Sequence, residues 1–565
     1  MSSLDGERGG IDERTRLVDP AQPRARYESV HVTSTHSDEG IRERSRTPIS
    51  SALNGEEFDN VPKVKRTLGL YSTAFLIFNR VIGTGIYATP SNILRSSGSV
   101  GVDFIMWVIG ALIAVCGTSV YVELGTGLPR SGGEKNYIEF IYRRPQFLAT
   151  CVYTLYGLIT GTAAANSVVF SEYLLHSLSI EPTYYITRFT AFGCLTFILT
   201  MHGTFLAPWG LRLQNTLGAG KLLVLISIVL AGLLSLVGVA GFSVKEGYEV
   251  PRNFQWDKFW EGSRGKGANA FVNGLYNVMW SFVGYSNANY ALSEVRDPVK
   301  TIKKAAPLAM SAVTAVYLLI NVAYFAVVSK NDILNSNRIV AALFFRNLFG
   351  PATEKVLSAF IALSTLGNLL AGQFSQGRVI QELGREGVVP FSSFFASNKP
   401  FGAPLPGLFT QYVVSCVFLL LVPPGDAYLF LISLSSYCIT IINTLVALGL
   451  FLLYTEGYRG WAWKPPFRAP KALVLAFFFS NIFLLIVPFI PPVPGSRTYE
   501  QLPYWAHPVG GFCVSLFGIA YWYIWAIWLP ETRGYRLERE IVSMDDGVTK
   551  TRFRKVRLLE DVGRQ

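Results

Sequence analysis

Residues 78 to 91 read FNRVIGTGIYATPS, a combination that an apolar membrane segment normally avoids. The charged Arg80 precedes Gly83, Thr84 and Gly85, and a proline follows. Glycine and proline interrupt a helix, and the helix that resumes begins with backbone N–H groups that lack partners. These groups and the positive end of the helix dipole bind anions such as a carboxylate. The stretch therefore predicts a carboxylate site, to which Thr84 can add a hydroxyl donor.

A second stretch, SFVGYSNANYALSE at 281–294, interrupts another apolar run with Gly284 and several polar residues. Carbonyl groups exposed at such a break accept hydrogen bonds from an ammonium group. Two facing breaks can therefore recognise the carboxylate and the ammonium that an α-amino acid carries on one carbon. The alternative for the glycines is close helix packing through small residues, but the pairing of two breaks favours a site. We expect the binding residues to be Val81, Ile82, Gly83, Thr84, Gly85, Phe282, Val283, Gly284 and Tyr285.

Four charged residues lie in or near apolar segments. Lys221 stands well inside GAGKLLVLISIVL with no acid nearby in the sequence. Such an ammonium needs partners in the protein interior, and a buried lysine can lose its proton near neutral pH, so Lys221 is a candidate for proton linkage. Arg80 lies one turn before the first break, where it either pairs with Glu123 or Glu294 as an inner gate or extends toward lipid headgroups. The two acids can equally have a solvated or structural role.

Composition indicates a membrane protein. Of 565 residues, 50% are hydrophobic and only 16% are charged, whereas about a quarter are charged in soluble domains. The net charge is +12, but the basic residues lie in short loops between apolar stretches, so a nucleic-acid partner is not expected. The six cysteines lie in hydrophobic segments without metal-ligand spacing, which predicts buried thiols and no metal or other cofactor. No hydrolase or metalloprotease motif occurs, so an enzyme is not expected.

About 20 apolar residues are needed to cross the hydrocarbon core of a membrane. This rule gives twelve candidate spans, near residues 70–96, 102–128, 147–175, 185–203, 209–241, 270–293, 305–328, 354–377, 405–422, 427–453, 471–490 and 508–529. Spans one to five and six to ten each begin with an interrupted segment, and an odd number of spans reverses the direction of the second block. Since non-helical backbone in mid-membrane must line a cavity or be buried, we expect an inverted repeat with a binding site between the breaks.

The chain divides on this basis into six parts. They are a disordered cytoplasmic N-tail (1–66), a first repeat (67–241), an extracellular loop (242–269), a second repeat (270–453), two further helices (454–529) and a cytoplasmic C-tail (530–565). The N-tail is rich in Ser, Arg, Glu and Asp and poor in aromatic residues, which predicts disorder. Basic residues in the short loops favour both termini on the cytoplasmic side.

Five motifs in chain order resemble those of a known transporter family. They are VIGTGIYATPS (81–91), YVELGTGLPRSGGEKNYI (121–138), GAGKLL (218–223), FVGYSNANYALSE (282–294) and RVIQELGREGVVP (378–390). They resemble the amino acid–polyamine–organocation transporters and, within them, the L-type amino acid transporters and the fungal methionine permeases. In the second motif an acidic residue follows Ser-Gly-Gly, as in the family. The resemblance implies the LeuT fold: an all-α membrane protein of twelve helices with a 5+5 inverted repeat and with helices 1 and 6 unwound.

The resemblance also implies roles for single residues. Phe282 matches the aromatic gate that caps the substrate, with core or lipid contact as the alternative. Lys221 matches a lysine that reaches the unwound first helix in the place of sodium, which makes sodium dispensable and adds bracing of that helix as an alternative role. Mammalian L-type relatives bind a heavy chain through a disulfide in the loop between spans three and four, but here that loop, 176–188, has no cysteine, so no such partner is expected. Removal of fungal permeases after ubiquitination of a tail points to Lys63 and Lys65, and anchoring of the chain at the inner leaflet is the alternative role of these two lysines.

The expected function is import of neutral amino acids, methionine or another large neutral one, across the plasma membrane, coupled to protons and independent of sodium. Obligate exchange of neutral amino acids and a nutrient-sensing receptor on a transporter scaffold are the alternatives, and the sequence does not separate import from exchange. The expected partners are an L-amino acid, a proton, membrane lipid and the ubiquitin-ligase machinery at the tails.

Overall fold

The computed structural model describes residues 66–557, except 67, 131, 162, 291, 293–294, 337–338, 398, 422–425, 456–462, 495–498 and 544–548. The predicted N-tail before residue 66, with Lys63 and Lys65, lies outside the described residues, and so does Glu294. What is described consists mainly of apolar helices.

The helices follow one another with mostly short connections. Within the described residues they are α1 (Leu70–Val81), α2 (Gly85–Ala88), α3 (Pro90–Ser97), α4 (Val100–Gly127), α5 (Glu134–Ile141), α6 (Leu148–Thr160), α7 (Ala164–Ser177), α8 (Tyr184–Gly203), α9 (Ala207–Val237), α10 (Trp256–Phe259), α11 (Ala268–Phe282), α12 (Pro298–Val327), α13 (Lys330–Asn335), α14 (Val340–Phe349), α15 (Pro351–Glu386), α16 (Ser392–Ala396), α17 (Leu405–Leu421), α18 (Ala427–Tyr454), α19 (Lys471–Ile486), α20 (Ala506–Trp522) and α21 (Leu529–Arg533). Short 3₁₀ turns at Asn287–Tyr290 and Val487–Phe489 follow α11 and α19, and a π-helical stretch at Tyr523–Trp528 joins α20 to α21.

Seven helices of the described residues are long and apolar enough to cross a membrane. They coincide with predicted spans two, five, seven, eight, ten, eleven and twelve. Predicted spans four and nine lie on α8 and α17, and spans one, three and six are each divided. The structure is thus largely helical and rich in apolar spans, while the count of twelve spans and the inverted repeat remain predictions.

Two divided spans are broken where the sequence predicts. In the first, the chain between Val81 and Gly85 leaves the helical path between α1 and α2. In the sixth, α11 ends at Phe282, and Gly284 follows with a φ of +123°, a conformation that side chains rarely allow. The glycines of both stretches therefore mark real interruptions of helix.

The third span contains a break between α6 and α7 that the sequence pattern does not predict. The side-chain amide of Gln373 donates to the carbonyl oxygen of Gly161 at 3.0 Å. The backbone N–H of Ala163 donates to the hydroxyl of Ser415 at 3.0 Å. Polar side chains from α15 and α17 therefore replace hydrogen bonds that the helix loses in an apolar environment.

Two long helices surround the first break. The helix α12 packs against α1, α4 and α9, and α15 packs against α1, α7 and α9. Ile82 and Ile86, on either side of the break, are fully buried. The non-helical backbone is therefore enclosed by protein, as a lipid bilayer requires.

The C-tail forms a β-hairpin, which the all-α expectation misses. Strands β1 (Tyr535–Ser543) and β2 (Thr549–Arg557) pair antiparallel, with Tyr535 opposite Arg557. Phe553 packs against the rings of Phe147 and Trp525 in a small apolar cluster with Cys151. The many charged residues of the tail made its strands hard to predict, because they alternate with the few apolar side chains that face the cluster. All six cysteines have free thiols, but the prediction of burial holds for four of them only, because Cys416 is half-buried and Cys513 is exposed.

Candidate functional site

A polar cavity lies where the breaks of spans one, three and six meet. Its volume is about 60 Å³, several times the roughly 10–15 Å³ that one water molecule requires. Apolar walls come from Trp280, Leu369 and Ile439, among others. The polar lining residues are Arg80, Thr84, Asn166, Asn368, Gln373 and Gln376. The cavity can therefore hold a small polar headgroup beside an apolar group.

Of the nine predicted binding residues, the first break contributes most of those that line the cavity. The lining residues among the nine are Val81, Gly83, Thr84, Gly85 and Val283. Among the described hydrogen bonds, none is donated by the backbone N–H groups of Gly83, Thr84 or Gly85. These groups stand before the first turn of α2, where an anion can accept their hydrogen bonds.

The hydroxyl of Thr84 is already engaged. It donates to the side-chain oxygen of Asn166 on α7, and Thr84 is buried. Thr84, which we expected to donate to a ligand, therefore connects the first break to the third span. Asn166 lines the cavity beside it.

Lys221 of α9 reaches the end of α1. Its ammonium donates to the carbonyl oxygens of Asn79 at 2.9 Å and of Ile82 at 2.6 Å, and the lysine is 2% exposed. Asn79 lies in the last turn of α1 and Ile82 directly follows that helix, where carbonyl groups lack partners within the helix. Ile82 thus contributes to the site through this contact and not by lining the cavity.

The second break lies directly against the first. A Cβ atom added to Gly284 would stand 2.8 Å from Cγ of Arg80, so only glycine allows this approach. The hydroxyl of Tyr317 on α12 lies 3.0 Å from the carbonyl oxygen of Val81 and 2.8 Å from that of Ser281. One phenol therefore contacts the backbone of both broken spans.

Phe282, expected as the aromatic gate, does not line the cavity. Its ring packs against Trp107 and Tyr317, with centroids 6.2 and 5.2 Å away, and it is 1% exposed. Trp280, two residues earlier on α11, lines the cavity instead. Residues two apart on a helix point in nearly opposite directions, which accounts for this correction. Tyr285 likewise packs away from the cavity, against Tyr121.

Arg80 lines the cavity and does not pair with Glu123. Its guanidinium lies beside Gly372 of α15. The carboxylate of Glu123 accepts hydrogen bonds from the hydroxyl of Tyr454, the indole of Trp463 and the backbone N–H of Ala469. Those three donors occupy the acid, so of the alternatives for Glu123 the contacts agree with the structural role and not with the Arg80 pair.

The residues that sequence reasoning missed lie mainly on α15. Asn368, Gly372 and Gln376 recur every four residues, which places them on one helix face, and Gln373 lies beside them. This polar stripe in an apolar span is a signal that the sequence carries. Asn166, in contrast, follows a break that the sequence does not predict.

Known proteins resemble this chain over most of its length. Residues 68–514 match the model of a family described as amino acid permease. The chain is 41% identical over 504 residues to the high-affinity methionine permease of Saccharomyces cerevisiae, covering 89% of this chain and 86% of that one. It is 30% identical over 519 residues to the low-affinity methionine permease of the same yeast, covering 90% and 91%. It is 28% identical over 510 residues to the human large neutral amino acids transporter small subunit 2, covering 87% and 88%.

Proposed function

Because this chain belongs to the amino acid permease family, we propose that it imports neutral amino acids, with methionine as the principal substrate. Its relatives are permeases and transporters and not enzymes, and its apolar helices indicate a multi-pass membrane protein. The proposal adds a plasma-membrane location, cytoplasmic termini, proton coupling, sodium independence, and the LeuT fold with twelve helices in a 5+5 inverted repeat.

The observation that carries the proposal is the meeting of two helix breaks at one polar cavity. The substrate carboxylate binds the N–H groups of Gly83, Thr84 and Gly85, which have no described protein acceptor. The substrate ammonium binds carbonyl groups at the second break, beside Val283. Neither interaction requires a charged side chain, which suits a zwitterion.

The cavity walls support selectivity for large neutral side chains. Trp280, Leu369 and Ile439 offer apolar surface, and the described lining residues include no acid. Arg80 is the charged residue of that lining, and it opposes entry of a cationic side chain by repulsion. Two relatives are named as methionine permeases, in agreement with this selectivity.

Sodium independence is supported by the contacts of Lys221. Its ammonium donates to two carbonyl oxygens at the end of α1, where a metal cation would otherwise find acceptors. Both contacts support the bracing role for this lysine. A resident positive charge there leaves no need for sodium.

The gate assignments follow the geometry of the cavity. Trp280 caps the substrate in the role first expected of Phe282. Arg80 closes the cavity beside α15, without Glu123 as its partner. Glu294 keeps its predicted gate role only as an expectation, since it lies outside the described residues.

Reconstitution of the purified chain in liposomes tests the proposal. Labelled methionine should enter without a second protein, faster under an inward proton gradient, and equally fast when choline replaces sodium. Leucine should compete, whereas arginine and glutamate should not. Entry only against a preloaded amino acid would establish obligate exchange, and binding without entry would establish a receptor. Sodium-stimulated uptake would refute the role given to Lys221.

A further inference from the structure

The loop between spans two and three holds the second break through one acid. Glu134 is the first residue of α5. Its carboxylate accepts a hydrogen bond from the hydroxyl of Ser286 at 2.8 Å and another from the hydroxyl of Tyr290. Next to it, the backbone N–H of Gly133 donates to the carbonyl oxygen of Asn289 at 3.2 Å. Glu134 is therefore attached to the backbone segment that continues from the cavity.

This carboxyl group is buried without a described cationic partner. Glu134 is 7% exposed, and no ion pair joins it to a basic residue among the described residues. The adjacent Lys135 is paired instead with Glu139 at 2.7 Å and with Glu386 at 2.6 Å. A buried carboxylate with no counter-charge favours binding of a proton.

The surroundings of Glu134 are phenolic. The ionisable groups that interact electrostatically with it are Tyr121 of α4, Tyr137 of its own helix, Tyr153 of α6, and Tyr285 and Tyr290 of the second break, and Arg130 interacts with Tyr137. Phenols titrate near pH 10 and guanidinium groups above pH 12, whereas Glu134 is the one carboxyl group of this set. Burial raises the pKa of the Glu134 carboxyl, while hydrogen bonds from Tyr290 and Ser286 act in the opposite direction.

From this geometry we propose that Glu134 is the proton-binding group through which a proton gradient drives substrate movement. The assignment deepens the proposed function and rests on its proton coupling. A carboxylate accepts from both hydroxyls, whereas a carboxylic acid carries one O–H donor, so protonation reverses or breaks one of the two contacts. The segment from Ser286 to Tyr290 is then held differently, and Val283, three residues before it, lines the cavity.

Gradient-driven uptake by Glu134→Gln tests this role. In liposomes, an inward proton gradient should accelerate methionine uptake by the wild type several-fold and leave uptake by the variant unchanged. Exchange of labelled for unlabelled methionine at equal pH should remain measurable, because glutamine can still hold one of the two hydroxyls. Glu139→Gln, on the same helix, is the matched control and should keep the stimulation. Full stimulation in Glu134→Gln would overturn the assignment.

A second variant tests whether Glu134 is the proton-binding group if Glu134→Gln fails to fold. Tyr290→Phe removes a hydrogen bond that stabilises the ionised carboxylate, so the pKa of Glu134 should rise. Uptake that requires the protonated acid should then fall at a pH roughly one unit higher than in the wild type. Uniformly slower uptake with an unshifted pH profile would mean that Glu134 only positions the break, and would overturn the proposal.

Uptake by the wild type distinguishes failure of proton coupling from failure of the assignment to Glu134. If methionine enters but a proton gradient has no effect, proton coupling fails, and the role of Glu134 fails with it. If the wild type is driven and Glu134→Gln is driven equally, only the assignment to Glu134 fails.

Discussion

Gly85 stands where the first broken span touches the sixth. A Cβ atom placed on it would lie 2.8 Å from Cα of Ser281, a backbone atom that cannot turn aside. Gly85→Leu should therefore separate the two spans and abolish methionine uptake, while the protein still reaches the membrane. Labelled uptake normalised to surface protein measures the effect. Gly193→Ala, at a helical glycine with nothing within 4 Å of the added atom, is the control and should transport normally.

Lys221 gives a prediction with a defined size. Truncation in Lys221→Ala leaves the carbonyl oxygens of Asn79 and Ile82 without their donor, and a buried unsatisfied group costs about 1–3 kcal/mol. Methionine uptake should fall tenfold or more, since tenfold corresponds to about 1.4 kcal/mol. Lys300→Ala, at an exposed lysine of α12, should leave uptake unchanged. Near-normal uptake by Lys221→Ala would show that the end of α1 needs no brace.

Single residues were predictable where backbone chemistry decided them. Gly83 and Gly85 line the cavity, and a Cβ atom added to them would stand 3.0 Å from the side-chain amide of Asn368 and 2.8 Å from Cα of Ser281, respectively. Such close approach favours glycine, which the sequence shows directly. The choice between Phe282 and Trp280 depends on the rotation of α11 about its axis, which no local pattern fixes. The partners of Glu123 come from Tyr454 onward, over 300 residues later in the chain, so their approach is set by the packing of whole helices.

At the scale of elements, the C-terminal hairpin covers a thiol. Phe553 of β2 packs in the cluster that contains the fully buried Cys151. Phe553→Asp should detach the hairpin and raise maleimide labelling of Cys151 several-fold, because an unpaired charge is unfavourable in that cluster. The assay uses a chain in which the exposed Cys513 and the half-buried Cys416 are replaced by serine.

The control for this variant lies on the same strand. Arg554→Gln removes a charge on the exposed side of β2 without placing an acid opposite Glu538, and it should leave Cys151 protected. If Cys151 is labelled in Phe553→Asp as little as in the control, attachment of the hairpin does not depend on Phe553.

Helices that contain long runs of apolar residues were the most predictable elements. The long helices α4, α9 and α12 follow from runs of apolar residues that exceed the thickness of a membrane. The sequence did not predict the break between α6 and α7, because Gly161 lies among small residues that are also compatible with a continuous helix. Its stabilising partners, Gln373 and Ser415, come from distant helices.

At the scale of the whole molecule, we expect the N-tail to control residence at the cell surface. Lys63 and Lys65 precede α1 and are the first lysines of the chain. Changing both to arginine keeps the charge but removes the sites of ubiquitination, so internalisation in excess methionine should slow. Uptake per surface molecule should not change, because neither residue belongs to the cavity. Unaltered internalisation would move the signal to Lys550 and Lys555 of the C-tail.

The architecture of the molecule was predictable as a class, whereas the count of twelve spans stays a prediction. Residues 68–514 match the permease family, as the five motifs indicated. The apolar pattern gives the number of membrane-length runs in the sequence. In the structure, breaks divide a run such as α1 to α3 into helices that are each too short to be counted as a span.

The hydroxyl of Tyr317 has a kinetic consequence. It has a single proton and two acceptors within reach, Val81 and Ser281, one from each broken span. If either span moves away during the cycle, the proton remains bonded to the other, so the step loses less than one hydrogen bond. Such sharing lowers the barrier to the movement of either span. Tyr317→Phe should therefore slow turnover far more than it weakens methionine affinity, and an equal loss in both would assign the phenol to ground-state packing alone.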